Sequence, residues 1–596
     1  MDEQGAGVLT GEGLTIGDVV AVARRRARVA PLAPNARMAE SCRWVEQAVA
    51  GRVRDEDGRP MAVYSVNTPF GSRAFESQFD TPEQGQWLSR NLITSHSAGV
   101  GRYFSEDVVR AALLIRANTL AKGFSGIRPE VVDTLLQMLN ADIYPAVPEK
   151  GSVGASGDLA PLSHLVLPLS RPPRGSDEDW ESGEVLIPFD PAAHDPADGV
   201  AVEGPDGQTT VMVRVCAKGV MERAGIPRWV LQAKEGLALN NGATFSTALA
   251  ALAVHDAELL VRNAEIALAM TVEAVKGYRD AFFPQVQRAR GHAGQIESAA
   301  NVLRLLEGSE LLDGDQAVNP RRSPPQDPYS IRCAPQVIGA MRDVLSWVRG
   351  VVEIELNAAT DNPLIFAAGD EADDYYLPRT YKAVSCGNFH GEPLAFALDF
   401  LGIAVAELGN IAERRVFRLL TGALNQNLEP MLVRSREQEV GMHNGFMIAQ
   451  YTAAALVSDN KVLAHPDSVD SIPTCEDQED HVSMALNAAR HAREIVWNTQ
   501  RIVAIEMLCA AQALDFRLAG QEYALVCEDG AVRRGWREVA GDHPPALGLG
   551  TGAAYERIRA LVGHRERDRV LYPDIAAVAA AVSSGEIAHA VADVVA

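Results

Sequence analysis

The sequence has few cysteines, and their arrangement indicates neither a crosslink nor a structural metal. The seven cysteines are scattered along the chain and none belongs to a Cys-x-x-Cys pair. Disulfide frameworks use even numbers of cysteines at regular spacings, and structural zinc sites use closely spaced ligands. We therefore expect no disulfide framework, no metal and no diffusible coenzyme.

An excess of basic residues and a membrane-spanning segment are also absent. The chain has 55 Lys and Arg against 78 Asp and Glu, a net charge of −23. Nucleic-acid binding needs a basic surface, so this balance argues against it. No apolar run approaches the roughly 18–20 residues that span a bilayer, and the first residues are acidic where a signal peptide is basic. We expect a cytoplasmic protein that binds neither nucleic acid nor membranes.

Long periodic apolar stretches are what the sequence does contain. At 596 residues and 64.0 kDa, the chain exceeds the size of one compact core. Residues 243–276, 394–420 and 481–519 carry apolar side chains at spacings of three and four, which predicts helices. Helices so long and apolar are typical of the centre of a bundle, here one shared between subunits.

Two stretches interrupt this helical pattern. Residues 171–208 are rich in turn-forming and acidic residues, and short β-like segments lie at 185–189 and 210–215. This composition predicts a surface excursion between two helical regions. Residues 528–552 form a second stretch without helical periodicity.

The most informative segment is Gly151–His164, with the sequence GSVGASGDLAPLSH. Gly157 has no side chain, so its amide nitrogen can fold back onto the carbonyl of Ala155. Loss of water from that ring and then from Ser156 would leave a conjugated methylene, an electrophile made from the chain itself. The alternative, a phosphate-binding turn, is weak because the GKS/T and GxGxxG patterns are absent and Asp158 would repel phosphate.

At Ala155-Ser156-Gly157 the chain resembles the family of aromatic amino acid ammonia-lyases and aminomutases. That family forms the cofactor 4-methylideneimidazol-5-one (MIO) from an internal Ala-Ser-Gly. The resemblance extends from Leu14 to about Ile587 in separate blocks in matching order. The Gly-Ser-Ser-x-Met-Pro loop of the fumarase and aspartase relatives is absent.

This resemblance implies a fold and an assembly. We expect an all-α protein with the elongated central helical bundle of the ammonia-lyase (fumarase/aspartase-like) type. Residues 1–210 would form the N-terminal part that carries the cofactor, and residues 211–596 the bundle with the C-terminal helices. The family also implies a homotetramer in which three subunits contribute to each active site.

The block Tyr64–Gly71, YSVNTPFG, resembles the lid loop of the family, and its general base maps to Tyr64. A phenol has a pKa near ~10, so we expect electropositive surroundings and helix N-termini that lower it. Ser65 and Pro69 stand where the family usually has Gly. A stiffer lid should hold an elimination product longer. Taken alone, such a tyrosine is more often a packing residue.

Other blocks match positions that contact substrate or cofactor. Asn241 matches an amide that hydrogen-bonds the cofactor carbonyl or the substrate carboxylate. Arg332 matches the arginine that pairs with the substrate carboxylate, a role that suits a forked guanidinium. The remaining positions beside substrate or cofactor are Gln326, Tyr329 and Phe389. In isolation, Asn241 is at least as well explained as a helix cap, Arg332 as a surface salt bridge and Phe389 as core.

Two blocks bear on the substrate. Ser95-His96 and Gln478-Glu479 resemble the pairs of histidine ammonia-lyases, and Met447 matches a pocket methionine of those enzymes. A carboxylate at Glu479 can accept a hydrogen bond from an imidazole. Left unpaired beside a phenyl ring, it would cost roughly several kcal/mol.

The alternative for this acidic segment is a solvated surface, since 476–480 holds four acids. The segment also departs from the family, because Cys475-Glu476-Asp477 replaces Ser-Ala-Asn and 442–444 reads Met-His-Asn instead of Leu-Asn-Ser. These changes leave the substrate open.

Three functions follow from the resemblance. The first is a histidine ammonia-lyase that converts L-histidine to urocanate. The second is a 2,3-aminomutase that returns ammonia to the β-carbon of histidine, tyrosine or phenylalanine, an option favoured by Pro69. The third is a catalytically inactive scaffold relative, against which the complete motifs argue.

Overall fold

The structure is a computed structural model of the chain. It describes residues 7–55, 57–74, 76–79, 81–204, 209–312, 325–366, 383–434, 441–528, 531–539 and 543–595.

Helices dominate the described residues, and the expected all-α fold is confirmed. The α-helices are α1 Ile16–Ala23, α2 Ala36–Val49, α3 Pro82–His96, α4 Glu106–Ala121, α5 Pro129–Asn140, α6 Leu159–Val166, α7 Ala217–Arg223, α8 Glu235–Asn240, α9 Thr244–Ala274, α10 Pro284–Arg290, α11 Ala293–Leu305, α12 Tyr329–Arg332, α13 Ala334–Glu355, α14 Glu392–Leu420, α15 Met447–Leu463, α16 Ala485–Leu518, α17 Leu549–Leu561, α18 Tyr572–Ser583, α19 Glu586–Ala590 and α20 Ala592–Val595. The strands are β1 Val100–Tyr103, β2 Tyr144–Pro145, β3 Pro148–Lys150, β4 Glu184–Pro188, β5 Gly199–Glu203, β6 Thr209–Cys216, β7 Leu364–Ile365, β8 Ala383–Val384, β9 Gln521–Glu528 and β10 Ala531–Glu538.

The chain divides into two compact units, each built from separated segments. The first unit comprises 1–255, 349–399 and 466–490, and the second comprises 256–348, 400–465 and 491–596. The division of the chain at residue 210 into a cofactor-bearing part and a bundle stays a prediction.

The three long helices expected from periodicity are confirmed as α9, α14 and α16. Two of them, α9 and α14, are long and apolar enough to cross a membrane by length and composition alone. The expectation that no apolar run reaches that length was therefore wrong. The apolar windows of these two helices are 89% and 67% buried inside the protein, as the core helices of large proteins are.

The β-like segments predicted at 185–189 and 210–215 are confirmed as β4 and β6, whereas β5 was not predicted. Strand β4 pairs antiparallel with β6, and β6 pairs with β5, within a four-stranded sheet of order β2-β4-β6-β5. Residues 205–208 of the excursion lie outside the described residues. The stretch after residue 520 forms a hairpin, β9 with β10, that the sequence analysis missed.

A fully buried ion pair lies inside the second unit. Arg415 on α14 contacts both carboxylate oxygens of Glu506 on α16, with Nε 2.5 Å from Oε1. Thr271 on α9 donates its hydroxyl to the same carboxylate at 2.8 Å. Because a buried charge is costly without a partner, these contacts fix how the three helices pack.

Replacing Glu506 tests that constraint. Glu506→Gln leaves Arg415 buried without a countercharge and should destabilise the protein by about 3–5 kcal/mol, seen as a lower thermal unfolding midpoint. Glu353→Gln is the matched control, because Glu353 and Arg349 form a pair whose side chains are 40% and 39% exposed. Such a pair contributes about 0.5 kcal/mol or less. Equal midpoints for the two variants would contradict the prediction.

Candidate active site

The segment Gly154–Gly157 turns back on itself. Bridge pairings join Gly154 to Gly157 and Ala155 to Gly157. Gly154 and Gly157 have φ of +70° and +73°, a region that favours glycine. A Cβ on Gly157 would lie 2.2 Å from the carbonyl carbon of Gly242, so no other residue fits there. The fold therefore places residues 155–157 in a tight turn pressed against the backbone of Gly242.

Two donors converge on the Ser156 carbonyl. The Asn241 side-chain Nδ2 lies 3.1 Å from this oxygen, and the backbone nitrogen of Gly242 lies 3.2 Å away. The Asn241 Oδ1 is buried without a hydrogen-bond partner among the described residues. Paired donors on one carbonyl draw electron density from any group conjugated to it, as in an oxyanion hole.

Asp158 anchors the end of the turn. Its side chain is fully buried and accepts hydrogen bonds from Ser246 N at 2.8 Å, Ser246 Oγ at 3.0 Å and Ser152 Oγ at 3.1 Å. Burial raises its pKa to about 6, and these hydrogen bonds oppose that rise. The sequence analysis missed this role, although an acid that follows the turn immediately was the available signal.

A buried polar cluster supports Gly242 from behind. Lys234 and Asp361, both with fully buried side chains, form an ion pair of 2.6 Å. Arg116 donates to the carbonyl of Thr360 at 3.1 Å and to the carbonyl of Ala238 on α8. This cluster holds α8, which ends immediately before Asn241, and it was not predicted from the sequence.

The segment 482–484 covers the turn on another side. Val482 and Met484 pack with Ala155 in one apolar cluster. The Met484 amide donates to the Val153 carbonyl at 2.9 Å, and Ser483 Oγ donates to the Gly154 carbonyl at 3.2 Å. These contacts place residues just before 482 beside Ser156.

Glu479 is the acid that this arrangement brings to Ser156. The Ser156 hydroxyl donates to Glu479 Oε1 at 2.7 Å, and the Thr474 hydroxyl donates to Oε2 at 2.8 Å. Glu479 is half-buried, whereas the other three acids of 476–480 are exposed. The two interpretations of this segment therefore apply to different residues: one acid faces the turn and three face solvent.

His96 ends α3 near Glu479. The helix begins at Pro82, behind a capping box of Thr81 and Gln84. Burial lowers the pKa of His96 and the Glu479 carboxylate opposes that change, so the imidazole is neutral at pH 7. Ser95 Oγ lies 3.0 Å from the Nδ1 of His96.

Tyr64 lies in the same group, but its environment is the opposite of the one expected. Burial raises its pKa, and the charges of Glu479 and Cys475 raise it further; only the hydrogen bond from the Gly71 amide, at 2.9 Å, lowers it. The expectation of electropositive surroundings that lower the pKa of Tyr64 is thus wrong for the described residues of this chain. Ser65 keeps φ at +57° although it replaces Gly.

The remaining predicted residues fall into two sets. Phe389 is half-buried in the turn before α14, and Gln478 is exposed; both belong to the first unit, as do Tyr64, Ser95, His96, Asn241 and Glu479. The other predicted positions, Gln326, Tyr329, Arg332 and Met447, belong to the second unit. There, Arg332 donates Nε to the Asp327 carbonyl at 2.9 Å, and its guanidinium lies 4.6 Å from the centroid of the Tyr329 ring.

The site has recognisable relatives in curated sequences. The chain matches the family model for aromatic amino acid lyases over residues 14–534. It is 44% identical to a histidine ammonia-lyase of Symbiobacterium thermophilum, over 98% of this chain and 97% of that protein. It is 42% identical to a histidine ammonia-lyase of Caldanaerobacter subterraneus, over 97% of each chain.

Solved structures show the same relationship. A tyrosine aminomutase from Streptomyces globisporus matches with a TM-score of 0.78 and 35% identity, over 99% of this chain and 98% of that one. A histidine ammonia-lyase from Trypanosoma cruzi matches with a TM-score of 0.77 and 35% identity, over 98% and 95%. The chain belongs to the aromatic amino acid lyase family.

Proposed function

We propose that this protein is a histidine ammonia-lyase, which eliminates ammonia from L-histidine to give urocanate. The observation that supports histidine as the substrate is the half-buried carboxylate of Glu479. It lies 2.7 Å from the Ser156 hydroxyl, and its charge acts on the pKa values of His96 and Tyr64. The extent of the relationship to curated histidine ammonia-lyases supports the same conclusion.

The turn at 155–157 fits the MIO group. Cyclisation needs the Gly157 nitrogen close to the Ala155 carbonyl, and the bridge pairing between these residues supports that approach. It also needs a serine hydroxyl that can be lost as water, which Ser156 has. When formed, the group supplies an electrophilic methylene that captures the substrate amine.

The chain's own residues would then orient the substrate and move protons. Asn241 and the Gly242 amide hold the Ser156 carbonyl by their hydrogen bonds. The Glu479 carboxylate accepts a hydrogen bond from the imidazole N–H of the substrate and so orients its ring. His96, neutral at pH 7, adds no repulsive charge. Tyr64 is the base for the β-proton, and it must lose its own proton first.

The proposal also assigns substrate-binding roles to residues of the second unit. Arg332 would bind the substrate carboxylate through its guanidinium fork. The family resemblance assigns substrate contacts to Tyr329, Gln326 and Met447, and likewise to Phe389 and Gln478. Tyr329 is 71% exposed within the single chain, which supports a homotetramer in which subunits share residues. A cytoplasmic location is part of the same proposal.

A 2,3-aminomutase is the second candidate. The specific feature that favours it is Pro69 in the lid, which follows three anchored residues. Val63 and Val66 pack in an apolar core, and Asn67 Oδ1 accepts a hydrogen bond from the Val63 amide at 2.7 Å. A lid held this way would retain the product long enough for ammonia to return.

The product of L-histidine separates these candidates. In a proton NMR time course we expect urocanate alone. Accumulation of β-histidine would establish the aminomutase instead. Turnover of tyrosine or phenylalanine without turnover of histidine would contradict the substrate assignment.

Replacing Ser156 tests the cofactor. Ser156→Ala removes the hydroxyl that must leave, so we expect loss of activity with an unchanged circular dichroism spectrum. Intact-mass spectrometry should find that the protein without the substitution is lighter than the mass calculated from its sequence by two water molecules. Substantial activity in the variant would overturn the assignment. So would a mass equal to the calculated one in the protein without the substitution.

The pH profile tests the coupling of Glu479 to Tyr64. Because burial, and in addition the Glu479 charge, raises the pKa of Tyr64, kcat/KM should increase with pH through the neutral and alkaline range. Glu479→Gln removes that charge, so the acidic limb should move to lower pH, in addition to weaker use of histidine.

Asp480→Asn is the matched control for this experiment. Asp480 is the exposed acid next to Glu479, and its replacement should leave the acidic limb in place. A limb that stays put or moves to higher pH in Glu479→Gln would refute the coupling.

A further inference from the structure

A second group of potential ligands lies in the first unit, outside the proposed reaction. His390, Glu392 and His481 offer ligand atoms that all lie within 4.8 Å of one another. His390 ends the turn before α14, Glu392 begins that helix, and His481 precedes α16. Two imidazoles and a carboxylate form a ligand set that suits zinc and similar divalent transition metals.

The distance between the two imidazoles fits a shared metal. His481 Nδ1 and His390 Nε2 are 3.4 Å apart. Two nitrogens bound to zinc at about 2.0–2.1 Å in tetrahedral geometry lie roughly 3.3–3.4 Å apart. The spacing therefore fits two ligands of one ion.

The carboxylate lacks a partner of its own. Glu392 Oε2 is buried and has no hydrogen-bond partner among the described residues. A cation between the three side chains would satisfy this carboxylate.

We propose that His390, Glu392 and His481 bind one divalent transition metal ion of the zinc type. His481 is exposed, which gives the ion an entry path and leaves a fourth position for water. Binding through Nε2 of His390 places its proton on Nδ1 and gives up the 3.3 Å contact with the Glu392 amide. That contact is long, and the amide belongs to the first turn of α14, where it has no acceptor within the helix.

The ion would join two segments that border the Ala-Ser-Gly turn. His390 follows Phe389, and His481 lies two residues after Glu479. The segments already adjoin, since a Cβ on Gly391 would lie 2.8 Å from Ala485 Cβ and 3.0 Å from Ser483 Oγ. A metal bound there acts as a clip that fixes Glu479 relative to the turn.

Metal binding by the full-length protein tests this proposal independently of its catalytic activity. In equilibrium dialysis against Zn²⁺, with metal quantified by mass spectrometry, we expect one ion per chain. His390→Ala, His481→Ala and Glu392→Gln should each weaken binding at least about tenfold. The control is His194→Ala, because His194 belongs to the same unit and accepts only a local hydrogen bond from Asp190 N.

A spectroscopic measurement separates this site from adventitious binding. Co²⁺ in place of Zn²⁺ should give the intense visible bands of a four-coordinate ion, and these should vanish in His481→Ala while the circular dichroism spectrum is unchanged. The proposal would be overturned if the protein without substitutions bound no zinc, or if all four variants bound zinc equally. Activity with histidine does not enter either outcome.

Discussion

The candidate site depends on the contact between Gly157 and Gly242. Neither position has space for a side chain: a Cβ on Gly242 would lie 2.3 Å from the Thr360 carbonyl oxygen, and one on Gly157 would lie inside the Gly242 peptide. This approach lets the Gly242 amide reach the Ser156 carbonyl while the Asp158 amide reaches the Gly242 carbonyl. The polar groups buried around it, Asp158 on one side and Lys234 with Asp361 on the other, hold that contact in place.

Glu479 connects this rigid centre to Tyr64 and His96, the groups proposed to act on the substrate. One of its oxygens accepts from Ser156 and the other from Thr474, while its charge raises the pKa of Tyr64 and opposes the decrease in the pKa of His96. A single carboxylate thereby influences both substrate recognition and the readiness of the base. Its charge favours an imidazole ligand and at the same time makes Tyr64 harder to deprotonate.

The sequence predicts the fold well where an apolar periodicity continues over a long stretch. It predicts the motifs well where the chemistry allows only a few residue types. Helices α9, α14 and α16 follow from apolar spacing, and the turn at 155–157 follows from its small residues together with the family resemblance of the blocks around it. The hairpin β9–β10 has no distinct signal. The direction of the Tyr64 pKa shift and the cluster of His390, Glu392 and His481 depend on residues brought together from blocks far apart in the chain. Spacing along a sequence cannot show such proximity.

The departures from the family near residue 475 can be assigned to different effects. Cys475, Glu476 and Asp477 all have φ between +53° and +64°, and this turn lets Thr474 and Glu479 pair so that the carboxylate faces Ser156. The side chains of Glu476 and Asp477 are exposed within the single chain. Cys475 differs, because its Sγ lies 2.8 Å from where a Cβ on Gly71 would be, and its charge raises the pKa of Tyr64. Of these three replacements, Cys475 is therefore the one that contacts the lid loop, and the proposed selection of an imidazole rests on Glu479.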